Sequence, residues 1–162
     1  IIVVVGYRSD SVRQALGETV DYVVQHEQLG TGDALKCALP QLNAHIDTIL
    51  SVYGDDSAFY PSKLYSEMVE KQRAHHVPLL FLTIHKDDPT GLGRIVRDAS
   101  RVVQRIVEEK VATDKEKKIQ EINTGFYCFD RTFLEDNIDT IQKNEVSGEY
   151  YVTDLVEIDL AS

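Results

Sequence analysis

The stretch Gln25-His26-Glu27-Gln28-Leu29-Gly30-Thr31-Gly32-Asp33-Ala34 decides how this chain is read. It follows a short apolar run, Tyr22-Val23-Val24, and leads into Ala34, Leu35, Ala38 and Leu39. Those four recur at the spacing of one helix face. The decapeptide therefore reads as a strand end, a polar loop and a helix N-terminus. Gly30 and Gly32 let the backbone bend sharply and approach a bound group closely. Thr31 is placed to cap the helix, whose free N–H groups and dipole favour an anion. A carboxamide at the strand end, Gln25 or Gln28, offers a donor and an acceptor to a flat heterocycle. A plain strand-to-helix turn would use the same residues, so the rest of the chain has to arbitrate.

Outward from that loop, strands and helices alternate. Residues 1–5 form a β-branched run before Gly6, as expected of a buried parallel strand. Ser9 or Asp10 can cap a helix through Leu16, closed by Gly17, and residues 22–25 form the second strand. The helix over 32–42 meets Pro40 in its last turn. A third strand, 48–53, ends at Gly54-Asp55-Asp56; a helix runs from Pro61 or Ser62 to about His75, and a strand covers 77–85. The segments 94–97 and 102–107 flank Asp98-Ala99-Ser100 and read as a hairpin. Thr113-Asp114-Lys115-Glu116 matches a capping box. A strand over 122–129, a helix marked by Phe133, Leu134, Ile138 and Ile141, a loop over 146–151 and a helix over 153–160 complete the chain. This alternation predicts an α/β, Rossmann-like, doubly wound and mainly parallel sheet with an inserted β-hairpin. Ligands of such sheets sit beyond the carboxyl ends of the strands, where the polar motifs fall.

Composition narrows the partners. With 17 Lys plus Arg against 27 Asp plus Glu, the net charge is −10, which disfavours nucleic acid. Small phosphorylated substrates stay open, because a metal ion can override the global field locally. Cys37 and Cys128 sit in apolar patterns without metal-ligand spacing and read as thiols of a reducing compartment. The chain opens without a secretory pattern, and its longest apolar run, 77–84, is too short for a bilayer, so the expectation is a cytoplasmic protein without membrane contact.

Four further motifs have weak readings alone. Asp55, after Gly54 at a strand end, suits a hard cation, though two adjacent aspartates equally make a solvated turn. Asp88-Pro89-Thr90-Gly91-Leu92-Gly93-Arg94-Ile95 is a turn entering the hairpin. Glu121-Ile122-Asn123-Thr124-Gly125-Phe126-Tyr127 carries polar residues into an apolar strand, where they need partners. Gly148-Glu149-Tyr150-Tyr151-Val152-Thr153-Asp154-Leu155 reads as a loop and a capped helix. Taken in order with the decapeptide, these motifs resemble the sugar-1-phosphate nucleotidyltransferases, and among them the N-acetylglucosamine-1-phosphate uridylyltransferase domain.

The resemblance implies UTP and a sugar-1-phosphate as substrates, with Mg2+ held by Asp55. It puts Gln25, Gln28, Gly30, Thr31, Tyr53 and Gly54 on the nucleotide, and Gly93, Glu108, Lys110, Asn123, Tyr151 and Thr153 on the sugar phosphate. Two departures stand out: Asp56-Ser57-Ala58 where the family has valine, proline and leucine, and Leu92 where it has tyrosine. The resemblance also implies a partial domain over 1–162, lacking the family's first strand, its glycine-rich triphosphate loop, a second metal ligand and the acetyltransferase β-helix. On that expectation the chain turns over little substrate, and the full-length enzyme is a candidate homo-oligomer. The alternatives are a glucose-1-phosphate uridylyl- or thymidylyltransferase and a non-catalytic nucleotide-sugar-binding module.

Overall fold

The computed structural model describes residues 1–160. Its organising element is β7 (Glu121–Asp130), a ten-residue strand buried along nearly its whole length. Its side chains alternate between two apolar layers, as a strand buried on both faces requires. Phe126 and Cys128 pack with Met68 under α3 (Ser62–His75). Tyr127 and Phe129 pack with Leu35, Leu134, Leu155 and Val156, beneath α2 (Thr31–Ala38), α4 (Arg131–Asn137) and α5 (Asp154–Leu160). Helices thus cover both faces of the sheet, and the doubly wound α/β reading stands.

One edge of β7 pairs along its length with β4 (Leu79–His85). The opposite edge is shared. β3 (Thr48–Ser51) pairs with residues 127–130, and β5 (Arg94–Arg97) meets Ile122. Between those contacts the edge is open, at residues 124–126. There β7 bulges: Phe81 pairs with Tyr127 and Thr83 with Asn123, so three residues of β7 face one of β4. Gly125 sits in the bulge at φ 71°, a conformation that favours glycine. β5 and β6 (Val103–Val107) form the expected hairpin.

Parallel pairing is confined to β1 (Ile2–Val5) and β2 (Asp21–Val24), which form a sheet of their own. The other four named pairings are antiparallel. The mainly parallel expectation is therefore refined: β7 runs against its neighbours, leaving β3 and β4 parallel to each other on its two sides. No pairing joins β1 to β3 among the described residues. α1 (Ser9–Leu16) buries none of its residues, and its N-terminal cap is Arg8 in the left-handed region, rather than Ser9 or Asp10. Pro40 lies in a 3-10 turn that continues α2, as expected. No helix of the described residues is long and apolar enough to cross a membrane.

A Cβ added at Gly125 would overlap the Tyr53 ring. Gly125→Ala combines left-handed strain with that overlap and is expected to destabilise the protein by roughly 2–4 kcal/mol. Denaturant melts check this, and a loss under ~1 kcal/mol would mean that the bulge relaxes freely.

Candidate functional site

The open edge of β7 is where the predicted residues gather. Tyr53 follows β3, Gly93 precedes β5, and Asn123 lies between them on β7. The main chain closes one side, with Asn123 N–H donating to the Gly93 carbonyl at 2.9 Å. The bulge then folds Asn123 over its own strand. Its Oδ1 accepts from Gly125 N at 3.1 Å, and its Nδ2 donates to the Tyr127 hydroxyl at 2.5 Å. The Tyr53 hydroxyl lies close to those of Tyr127 and Thr31. Burial, together with the nearby Glu108 charge, pushes the Tyr53 hydroxyl up to about 12.

Glu108 stands opposite. A Cβ on Gly93 would lie 3.3 Å from Glu108 Oε2, so only a glycine fits there without displacing the carboxylate. Burial raises the Glu108 pKa, against the hydrogen bond from Thr153 and with the charges of Asp154 and Glu149. Thr153 Oγ1 donates to Glu108 Oε1 at 3.3 Å, so its hydroxyl serves the site. Tyr151 shares a cavity of about 160 Å3 with Glu108 and Thr153, and its buried hydroxyl has no partner there. A larger cavity of about 380 Å3, beside Asp47, Arg73 and His76, lies at the start of β3, at the far end from these groups. Of the two, only the smaller is lined by residues that the sequence singled out: Glu108, Tyr151 and Thr153.

The decapeptide loop is fastened to the last segment of the chain. Tyr150 N–H donates to the Leu29 carbonyl at 2.7 Å, Gly32 N–H to the Tyr150 carbonyl at 2.9 Å, and Val152 N–H to Thr31 Oγ1 at 3.1 Å. Gly30 has φ 105°, and a Cβ there would stand 2.5 Å from the Tyr150 oxygen. This corrects the expected capping: Gly30 occupies the N-cap of α2, and Thr31, inside the helix, faces Tyr53 and Val152 instead. Gln25 uses Nε2 on the Gly30 carbonyl at 3.0 Å and on Asp33 Oδ2 at 2.7 Å. Gln28 Nε2 turns back to the Gln25 carbonyl at 3.2 Å. Both glutamines are thus tied to their own loop and not to Glu108 or Asn123.

Gly54 and Asp55 sit on an exposed turn after β3, where the Gly54 carbonyl accepts from Ser57. Among the described residues no three His, Cys, Asp or Glu side chains form a metal cage. An exposed aspartate without a hydrogen-bonding partner fits magnesium, which takes one or two protein carboxylates and completes its shell with water and phosphate. Lys110 is exposed and paired with Glu149 at 2.6 Å. Sequence reasoning missed Tyr127, Asp33 and Glu149. Tyr127 reads as one more core aromatic, and the ties of Asp33 and Glu149 are set by tertiary contacts alone.

Arg94, beside Gly93, is fully buried and holds the turn together. Its guanidinium donates to the Leu92 carbonyl and to Glu109 Oε2, the latter at 2.6 Å. It thereby fixes the glycine turn against the strand end that carries Glu108. On the far side of β5, Arg97 holds the Glu121 carboxyl down to about 2.

A nucleotidyl transferase family model matches residues 1–161. The bifunctional protein GlmU of Enterococcus faecalis is 38% identical over 158 residues, which is 98% of this chain and 34% of that protein. GlmU of Heliobacterium modesticaldum is 42% identical over 157 residues, covering 97% and 34%. The chain spans about a third of the length of these curated relatives (34%). UDP-glucose pyrophosphorylase complexed with UDP-glucose aligns with a TM-score of 0.69 at 14% identity, over 99% of this chain and 69% of that one. HddC from Yersinia pseudotuberculosis complexed with GMP-PN gives 0.62 at 20% identity, over 94% and 62%. These two likenesses speak for the fold.

Asp154, at the start of α5 beside Glu108, supplies a pH test. Burial, then the charge of Glu157, raises its carboxyl from 3.8 to about 6. The folded protein therefore holds that proton more tightly than the unfolded chain. Its contribution is full below pH 3.8 and is lost as pH rises through 6. Asp154→Asn is expected to remove that decline, gaining on the order of 1 kcal/mol at pH 7 after solvent screening and nothing at pH 4. Urea midpoints of both proteins across pH 4–7 check it; parallel curves would contradict the assignment.

Proposed function

Since the chain belongs to the nucleotidyl transferase family, we propose that it forms the nucleobase and sugar side of a site that joins UTP to N-acetylglucosamine-1-phosphate. In the reaction a phosphate oxygen of the sugar phosphate attacks the α-phosphorus of UTP. Pyrophosphate leaves, and a UDP-sugar forms. No covalent enzyme intermediate is needed, so the protein's contribution is alignment and charge compensation. The observation that carries this reading is the convergence of Thr31, Tyr53, Gly93, Glu108, Asn123 and Thr153 on one open strand edge.

Roles follow from the free valences. Gln25 has both Nε2 hydrogens committed to Gly30 and Asp33, so its amide oxygen remains to accept. An acceptor suits the N3–H of uracil and not the bare N3 of cytosine. Gln28, Gly30, Thr31, Tyr53 and Gly54 complete the nucleotide side. Asn123 retains one N–H and Glu108 its carboxylate for sugar hydroxyls or an N-acetyl oxygen, with Tyr151 supplying an unpartnered hydroxyl. Gly93, Thr153 and Lys110 close the sugar-phosphate side. Asp55 would hold magnesium, which supplies charge neutralisation at the phosphates when bound. Among the residues assigned to the site Lys110 is the single cation, and Glu149 occupies it. The 162-residue chain should therefore bind a nucleotide sugar better than it turns over UTP. A cytoplasmic setting suits these substrates.

Calorimetry on this chain tests the reading. UDP-N-acetylglucosamine is expected to bind about tenfold more tightly than UDP-glucose, the worth of one added polar contact. Glu108→Gln should weaken both UDP-sugars and leave UMP unchanged. Equal affinity for a GDP-sugar would overturn the uridine assignment, and absence of any nucleotide-sugar binding would overturn the whole.

A further inference from the structure

We propose that Asp33 is a positioning residue that sets the base specificity of the site, by holding the Gln25 amide so that only its oxygen is presented to the ligand. The inference rests on the nucleotide-sugar reading above. The two side chains lie eight residues apart, one directly after β2 and the other in the first turn of α2. Between them the backbone turns at Gly30, with φ 105°, and the Gly30 carbonyl faces the same amide.

The orientation follows from the partners. Gln25 Nε2 donates to the Gly30 carbonyl at 3.0 Å and to Asp33 Oδ2 at 2.7 Å. A peptide carbonyl and an ionised carboxylate can only accept, so neither tolerates the amide oxygen in place of the nitrogen. With one Nε2 hydrogen on each acceptor, the plane and the direction of the amide are both fixed, and Oε1 is the atom left for a base. The charge on Asp33 makes its bond the stronger of the two. Gln28 gives the contrast. Among the described residues its Nε2 has a single partner, the Gln25 carbonyl at 3.2 Å, so it keeps a second hydrogen and can present either a donor or an acceptor. Of the loop's two carboxamides only Gln25 is committed to one polarity.

Polarity is what separates the pyrimidines. Uracil carries a hydrogen on N3, and cytosine has a bare acceptor there. Without Asp33 the Gly30 carbonyl still holds one Nε2 hydrogen, but the other is released. The amide can then pivot about the Gly30 bond and offer that hydrogen to cytosine. Asp33 thus excludes cytosine by occupying the donor that cytosine needs, and discrimination of this kind is a difference between two affinities. An acidic residue in the first turn of a helix also stabilises the helix dipole, which is the competing explanation for an aspartate at this place.

Calorimetric affinities for UMP and CMP decide between the two. The unsubstituted chain is expected to prefer UMP by about tenfold, the worth of one matched polar contact over an unmatched one. Asp33→Ala should bring that ratio down to about one, with CMP gaining affinity as UMP loses it. Asp33→Leu, which keeps the shape and has no acceptor, should do the same. Asp33→Asn keeps an acceptor oxygen without the charge, and the Gly30 carbonyl still opposes a flipped amide, so the preference should stay within about twofold of the unsubstituted value. A helix-dipole role gives a different pattern, because all three substitutions remove the charge: stability falls alike and the ratio does not move. A preference for UMP that survives Asp33→Ala and Asp33→Leu overturns the proposal, as does its loss in Asp33→Asn. If the unsubstituted chain binds neither nucleotide, or binds both equally, the uridine reading itself falls and this inference with it.

Discussion

The molecule depends on a departure from regular geometry in the middle of its most buried strand. β7 has to pair with β4 along one edge while handing its other edge from β3 to β5, and the two extra residues of the bulge at 124–126 lie where that exchange happens. A bulge inside a core exposes backbone groups to an apolar surrounding, which is costly unless each finds a partner. Here three of those groups are answered by side chains. Asn123 Oδ1 takes Gly125 N, Thr124 Oγ1 takes Phe126 N, and the Tyr60 hydroxyl donates to the Thr124 carbonyl. Asn-Thr-Gly is thus the composition a buried bulge demands. Gly125 supplies the positive φ, and the two polar neighbours supply the bonds.

The same feature explains why the site lies where it does. A continuous β3–β7–β5 edge would leave no room for a ligand. The bulge opens the edge, and Tyr53, Gly93 and Asn123 are the residues that border the opening. Their partners arrive from distant parts of the sequence. Glu108 comes from the end of the hairpin and Thr153 from the start of α5, and burial raises the carboxyl they share. Acidic character and low exposure coexist because the surrounding groups are hydroxyls and amides. Such a surface suits neutral hydroxyl-rich ligands at its centre and needs cations at its rim for phosphates.

Periodicity made much of this legible. The alternating strands and helices, the hairpin, the Thr113–Glu116 capping box and the closing helix all lie where the residues put them; Thr113 and Glu116 exchange the expected reciprocal bonds. Strand direction was less legible, because β7 is apolar on both faces and a continuous apolar run is common to parallel strands and to buried antiparallel ones. Thr31 misled for a related reason. Ser and Thr before a helix usually cap it, yet here Gly30 takes the cap position, and the hydroxyl accepts from Val152 N. Tyr127 was invisible as anything but core, since no pattern in one sequence separates a hydroxyl that bonds from a ring that packs. Asn123 carried a signal, because an amide inside an apolar strand requires partners, but which partners depended on a bulge that only Gly125 hinted at.

The two sheets differ in how firmly they are held, and this bears on how the site is assembled. β7 is buried on both faces, whereas Val3 and Val4 of β1 are only partly covered and one edge of β1 has no partner among the described residues. Gln25 follows β2, so the decapeptide loop starts from the less covered of the two sheets. Its attachment to the main sheet runs through α2, two main-chain bonds between residues 29–32 and 150, and the bond from Val152 N to the Thr31 hydroxyl. Those bonds end one residue from Thr153, which serves Glu108. These bonds join partly buried and buried residues, so the decapeptide loop is held where it enters α2, while its tip at residues 26–28 stays exposed. Local opening is therefore expected at that tip before it reaches the junction with residues 150–152.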